Sequence, residues 1–152
     1  MAGYIEAIYI AIAGGVPMIP VETVDAIANR GLDGDRYQKG TGYWSGLDEC
    51  QVTFIEGEGI DAIANETGLL VQCGEHRRNL ITRGIRLFDL RGRQFSVGSA
   101  VFEFDRPRPP CRYIQELTQP GMTRALTRGR GGICARVVEG GVIRVNDPIS
   151  VR

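Results

Sequence analysis

"DLRGRQFSVGSAVFEFDRP", residues 89–107, decides the fold class. Gly92 and the turn Val97-Gly98-Ser99-Ala100 frame a short strand, and "AVFEFD" then alternates like a sheet edge or barrel wall. Two strands joined by a tight glycine turn make a hairpin, and hairpins build antiparallel sheets. The same pattern closes the chain, where "GICARVVEGGVIRVNDPISVR" (132–152) reads as two or three strands around "EGG" and "NDP" turns. "YIEAIYIAIA" (4–13) is a first strand ended by Gly14-Gly15. "CQVTFIE" (50–56) is a strand buried on both faces, and "RRNLITRGI" (77–85) is a short strand after a polar approach. Helices are few. Ile60, Ile63 and Ala64 have helical spacing before a stop at Gly68; "CRYIQELTQPG" (111–121) and "MTRALTRG" (122–129) give short ones. "VETVDAIANR" (21–30) fits a helix or a strand, and periodicity does not separate them. No repeat and no linker divides the chain. The expectation is one mainly β domain over residues 1–152, a curled antiparallel or barrel-like sheet with short helices at its mouth.

Composition is that of an ordinary globular domain, with 43% hydrophobic and 24% charged residues. The formal charge is zero, but it is unevenly spread. Residues 1–76 carry 3 basic and 12 acidic side chains, net −9; residues 77–152 carry 15 and 6, net +9. Seventeen of the 18 basic residues are arginine, the side chain best suited to forked recognition of phosphate or carboxylate. Overall neutrality gives little counterion-release drive, which argues against nucleic-acid binding. The apolar start "MAGYIEAIYIAIAGG" lacks a basic leader, carries Glu6 and is too short to span a bilayer. The four cysteines, at 50, 73, 111 and 134, form no Cys-x-x-Cys pair, and His76 is the only histidine, so a zinc site of ordinary spacing is not expected. Free thiols in a reducing cytoplasm are expected.

Cys111 stands apart from the others. It follows Pro109-Pro110, which hold an extended approach, and has Arg106, Arg108 and Arg112 close in sequence. Cations favour the thiolate, the form that acts as nucleophile and soft metal ligand. The other reading of Cys111 is a small buried hydrophobe. Cys50 and Cys134 sit in or beside apolar strands and read as core. Cys73, before a glycine and "EHRRN", is the remaining candidate for a resolving thiol. "GEHRRNL" gathers Arg77, Arg78 and Asn79, whose forks and amide suit a phosphate or a pterin edge; a solvated strand approach reads equally well. His76 reads as a surface or satisfied histidine. "GDRY" places Asp35 and Arg36 in the glycine-rich stretch 31–49, read as a long loop, where Asp35 orients an arginine, binds pterin nitrogen donors or shapes a turn. "TRGRGG" (127–132) reads as a hairpin turn.

In their order and spacing, "GLDGDRY", "QVTFIEGEGI", "RRNLITRGI", "GRQFSVGSAVFE", "RPPC" and "GGVIRVNDPI" resemble MOSC domains, named after the C-terminal domain of the molybdenum cofactor sulfurases. The resemblance runs from about residue 5 to 151. It implies a β-rich, barrel-like domain in which the cysteine of the "PPC" motif, Cys111, is the reactive residue. It also implies a role in carrying sulfur or handling molybdenum cofactor. In the amidoxime-reducing relatives that cysteine ligates molybdenum, and their Arg-Pro-Asn motif is similar to Arg77-Arg78-Asn79 here, with Arg78 in the proline's place. Molybdenum-ion and pyridoxal-phosphate binding come with the family. The sulfurases' pyridoxal-phosphate domain and the reductases' extra β-rich domain are separate from a MOSC domain of this size.

The reading is therefore that Cys111 carries a persulfide or ligates molybdenum in an arginine-rich cleft. Arg77, Arg78, Asn79, Asp35, Arg36 and Arg112 would hold molybdenum cofactor (molybdopterin) there. The alternative is a non-catalytic module for an anionic, phosphorylated small molecule or a partner protein. The expected partners are a small-molecule cofactor or a sulfur-donor protein, with neither nucleic acid nor membrane.

Overall fold

The computed structural model describes residues 3–40, 50–109 and 112–152, without the side chains of 112, 113 and 115. Cys111, the Arg112 side chain and the 41–49 part of the glycine-rich stretch lie outside the described residues. The strands are β1 (Tyr4–Ile10), β2 (Ile19–Val21), β3 (Thr23–Ile27), β4 (Gly31–Leu32), β5 (Val52–Glu56), β6 (Leu80–Arg83), β7 (Gln94–Val97), β8 (Ala100–Pro107), β9 (Ile133–Glu139), β10 (Gly141–Arg144) and β11 (Ile149–Val151). The helices are α1 (Arg36–Lys39), α2 (Gly57–Thr67), α3 (Arg112–Leu117) and α4 (Met122–Ala125), with a 3-10 turn at Leu87–Leu90.

The hairpin over 89–107 is present as β7 and β8, paired from Gln94↔Glu103 to Val97↔Ala100. It sits inside an eight-stranded sheet of order β11-β7-β8-β9-β5-β6-β1-β2. A second sheet has the order β10-β3-β4. The fold is mainly β, as expected. All the pairings are antiparallel except β5 with β6, which run parallel because α2 carries the chain across between them. The large sheet ends in the edges β11 and β2 and does not close as a ladder, but it curls. Gly3 and Ile5 exchange backbone hydrogen bonds with Asn146, Asp147 and Ile149 at the approach to β11.

The curl encloses one apolar cluster and turns its other face to a second. Inside, Phe54, Phe95 and Phe102 are fully buried with ring centroids 5.2–5.8 Å apart. Edge-on contacts of Phe54 with both others complement the ring quadrupoles, and truncating one such ring costs about 3–5 kcal/mol. On the other face Tyr9, Met18, Ile55 and Ile81 pack with Ile60 and Ile63 of α2, Ile114 of α3 and Met122 of α4. The helical spacing at 60 and 63 thus buries against the sheet, and Gly68 ends α2 at φ 71° with its N–H on Ala64 O.

Residues 23–27, open in the sequence between a helix and a strand, are a strand, because β10 pairs with them from Gly141↔Ala26 to Arg144↔Thr23. Two expectations are corrected. The stretch 31–40 is not plain loop but holds β4 and α1. The strand expected over 77–85 begins only at Leu80, so Arg77, Arg78 and Asn79 lie in its approach. Among the described residues no helix is long and apolar enough to cross a membrane.

Candidate functional site

Asp35 is the N-cap of α1. Its carboxylate accepts from Tyr37 N–H (3.3 Å) and from Ala11 N–H (3.0 Å), tying the start of the helix to the end of β1. It also pairs with Arg36 at 3.1 Å, both groups buried. The Arg36 guanidinium lies over the Tyr37 ring at 4.3 Å and donates to Arg77 O at 3.0 Å. Asp35 and Arg36 therefore reach the Arg77 segment as a brace.

Arg77 adopts φ 64°, a left-handed conformation uncommon away from glycine, with its N–H on Gly74 O (3.0 Å). Its side chain donates to Val16 O. Arg77 borders a concavity of about 310 Å³ with Met18, Cys73, Glu75 and, from the helix that follows Cys111, Leu117. Arg78 turns the other way. Its Nε donates to Gly131 O (2.7 Å), and its terminal nitrogens reach His76 O (3.4 Å) and Arg108 O (3.5 Å). These partners are all carbonyls; among the described residues no carboxylate pairs with Arg78. Burial, with a smaller push from Arg108, lowers Arg78 to about 10.

Asn79 is fully buried and its amide is engaged within the protein. Oδ1 accepts from the Thr53 N–H and hydroxyl, each at 3.0 Å, and Nδ2 donates to Tyr9 O at 3.1 Å. The amide thus links β1, β5 and the approach to β6. His76 departs from expectation: it is fully buried. Its Nδ1 accepts from Arg78 N–H at 2.9 Å, which puts the proton on Nε2, and Nε2 has no hydrogen-bond partner among the described residues. Burial first, then the charges of Arg78 and Arg77, lowers its pKa to about 3, so the ring is neutral. The Tyr9 ring lies edge-on to it at 5.6 Å.

Among the described residues the buried charged groups are four arginines, Arg36, Arg77, Arg78 and Arg108, and one carboxylate, Asp35. Arg108 is the residue that sequence reasoning left off the site. Its backbone N–H bonds Gly132 O at 2.8 Å, and its carbonyl faces Arg78. Its only sequence signal is its place three residues before Cys111. So Arg78 reaches the Arg108 carbonyl before Cys111, and Arg77 lines one concavity with Leu117 after it. The buried placement of Cys50 and Cys134 agrees with their reading as core, and Cys73 is exposed.

Comparison with known proteins follows the same lines. The MOSC domain family model matches residues 41–150. No curated protein matches the chain in sequence. Among solved structures, YuaD protein from Bacillus subtilis is similar over 99% of this chain and 96% of its own, at 20% identity and TM-score 0.78. YiiM from Geobacillus stearothermophilus is similar over 99% of this chain and 75% of its own, at 18% identity and TM-score 0.76. YiiM from Escherichia coli is similar over 100% and 70%, at 20% identity and TM-score 0.72. At these identities the likeness is one of fold.

Proposed function

This chain belongs to the MOSC domain family, and from that premise we propose that it handles sulfur or molybdenum cofactor at Cys111, beside an anion site built on Arg78. The observation that carries the anion site is the buried charge of Arg78, which no carboxylate among the described residues meets. A guanidinium has five N–H donors, and among the described residues its three nitrogens reach only carbonyls. Neutral carbonyls satisfy hydrogen bonds but leave the charge, and a buried charge without a counter-charge is costly. An anion, a phosphate group first, supplies that counter-charge. Arg108 and Arg77 add to the field, and fixed positive charges in a low-dielectric concavity concentrate anions.

Molybdopterin is the first candidate, because its phosphate suits the arginines and its metal suits a thiolate. When bound it would supply two-electron redox chemistry at molybdenum. Arg78 and Arg108 would hold the phosphate and Cys111 the metal. Asp35, Arg36 and Asn79 would keep the Arg77–Arg78 turn in place, and neutral His76 would keep the Arg78 N–H oriented. Without the metal the same thiolate serves as a persulfide carrier, taking sulfur from a donor protein. The arginines close to it in sequence, Arg106, Arg108 and Arg112, would favour the thiolate that such exchange needs.

Titration calorimetry with molybdopterin, or with a stable pterin phosphate, tests the anion site. The Arg78→Ala variant is expected to weaken binding by about 1.5–3 kcal/mol, the range for a hydrogen bond to a charged group. Arg78→Lys should recover part of it. Thiol footprinting tests Cys111, which should be alkylated near neutral pH faster than Cys50 or Cys134. Binding that is unchanged in Arg78→Ala overturns the anion site; slow labelling of Cys111 overturns the active thiol.

A further inference from the structure

Cys50 and Cys134 are 84 residues apart in sequence, yet their sulfurs are 2.8 Å apart, with Cys50 donating to Cys134. Both are free thiols and both are buried. The placement follows from the sheet. Cys134 on β9 is opposite Thr53 of β5 on one side and Arg106 of β8 on the other, and Cys50 is the residue from which the chain enters β5. Two packing cysteines need no contact with each other; one methyl-sized group beside any aliphatic neighbour would fill the same space. Here the two sulfurs make the contact, and they make it next to cations. The charges of Arg108, Arg106 and Arg78 act on Cys134.

We infer that Cys50 and Cys134 form a redox-active dithiol, a second sulfur centre independent of Cys111, which closes to an internal disulfide when it meets hydrogen peroxide. The hydrogen bond from Cys50, and then the charges of Arg108, Arg106 and Arg78, lower Cys134 below its ordinary value, while that bond and burial push Cys50 up. Cys134 is therefore the thiolate of the pair and Cys50 the thiol. Burial excludes bulky oxidants such as glutathione disulfide. A peroxide is small enough to enter where Cys50 lines a concavity of about 400 Å³ with Tyr37, Gln38, Gln51, Asp105 and Arg136.

The chemistry balances in two steps. The thiolate of the pair attacks one peroxide oxygen; the O–O bond breaks, hydroxide leaves and is protonated to water, and a sulfenic acid forms. The second thiol then attacks that sulfur. The S–O bond breaks, the S–S bond forms, and the hydroxyl departs as water with the second thiol's proton. The two sulfurs lose two electrons in all, and one peroxide is reduced to two waters. The disulfide would tie the entry of β5 to the start of β9. There Gly131 O and Gly132 O hold Arg78 and the Arg108 N–H, so the centre adjoins the anion site without depending on it.

The wild-type chain carries the test. Reduced protein is given a slight excess of hydrogen peroxide at neutral pH, blocked with N-ethylmaleimide during unfolding, digested without reductant and mapped by mass spectrometry. The expected product is a Cys50–Cys134 linked peptide, formed at least about tenfold faster than any link to Cys73 and lost on treatment with dithiothreitol. The link should form equally in Cys111→Ser, which separates its fate from that of the proposed active thiol. Recovery of both Cys50 and Cys134 as maleimide adducts overturns the inference, as does a disulfide that joins either of them to Cys73 or Cys111.

Discussion

His76 is a base that the fold keeps neutral. The unfolded chain takes up a proton at this residue below its ordinary value of 6.5, while the folded protein refuses it until about 3. Stability is therefore full above pH 6.5 and falls as pH drops through the window from 6.5 to 3, by up to about 1.4 kcal/mol per pH unit. At pH 5 the loss should be about 2 kcal/mol. His76 is the only histidine, so one substitution isolates its share of the change. Asparagine at 76 keeps an acceptor for the Arg78 N–H and removes the titration. Urea unfolding at pH 7, 6 and 5 should show wild type losing stability and His76→Asn staying nearly level; parallel curves would mean that His76 is not held neutral by burial. Sequence reasoning missed this burial for a physical reason. A run such as "GEHRRN" looks solvated, and the carbonyls that let Arg78 be buried beside His76 come from residues 108 and 131, far along the chain.

Elements were legible where their signal is local. The β7–β8 hairpin carries its own turn and alternation, and α2 carries its own apolar spacing and glycine stop. Elements were not legible where a distant partner decides. Residues 23–27 become a strand because β10, more than a hundred residues away, offers an edge, and the Cys50–Cys134 contact exists only in the β5–β9 register. For the site, the arginines could be named from type and crowding. Which of them anchors and which braces could not, because that depends on carbonyls supplied by other elements. Asn79 shows the difference: read as a ligand, it is found joining three parts of the sheet. Asn79→Ala would strand the Thr53 N–H and Tyr9 O in the interior and should cost about 2–4 kcal/mol in denaturant unfolding. A cost under about 1 kcal/mol would show that the amide is not a strut. Gly132 is a second strut. At φ 86° an added Cβ would collide with Phe54 O across the sheet. Gly132→Ala should therefore lose about 3 kcal/mol or more through backbone strain and overpacking together.

At the scale of the whole molecule, the charge imbalance between the two halves of the sequence is resolved in two different ways. Part of the arginine excess meets carboxylates at the surface: Arg83 pairs with Glu6 and Asp61, and Arg130 with Glu66, all first-half acids. Arg136 pairs with Glu103 and Asp105. Such exposed pairs contribute little each and are readily screened. Another part goes inward, where Arg77, Arg78 and Arg108 are buried. Salt should therefore act unequally on two properties of the same protein. Stability rests on the apolar curl and on buried hydrogen bonds, and should change little as surface pairs are screened. At the proposed anion site, affinity for a phosphorylated ligand would rest partly on the field of the buried arginines acting on an anion that arrives from water, and each added salt ion would compete with that arrival. Between about 0.05 M and 0.5 M sodium chloride the Kd for a pterin phosphate should rise about tenfold or more, while the midpoint of thermal unfolding moves by no more than about 2 °C. Calorimetric titration and a thermal melt on the same samples measure both. A Kd indifferent to salt would remove charge as the basis of recognition. A melting point that collapsed with salt would mean that the surface pairs, rather than the interior, hold the two halves together.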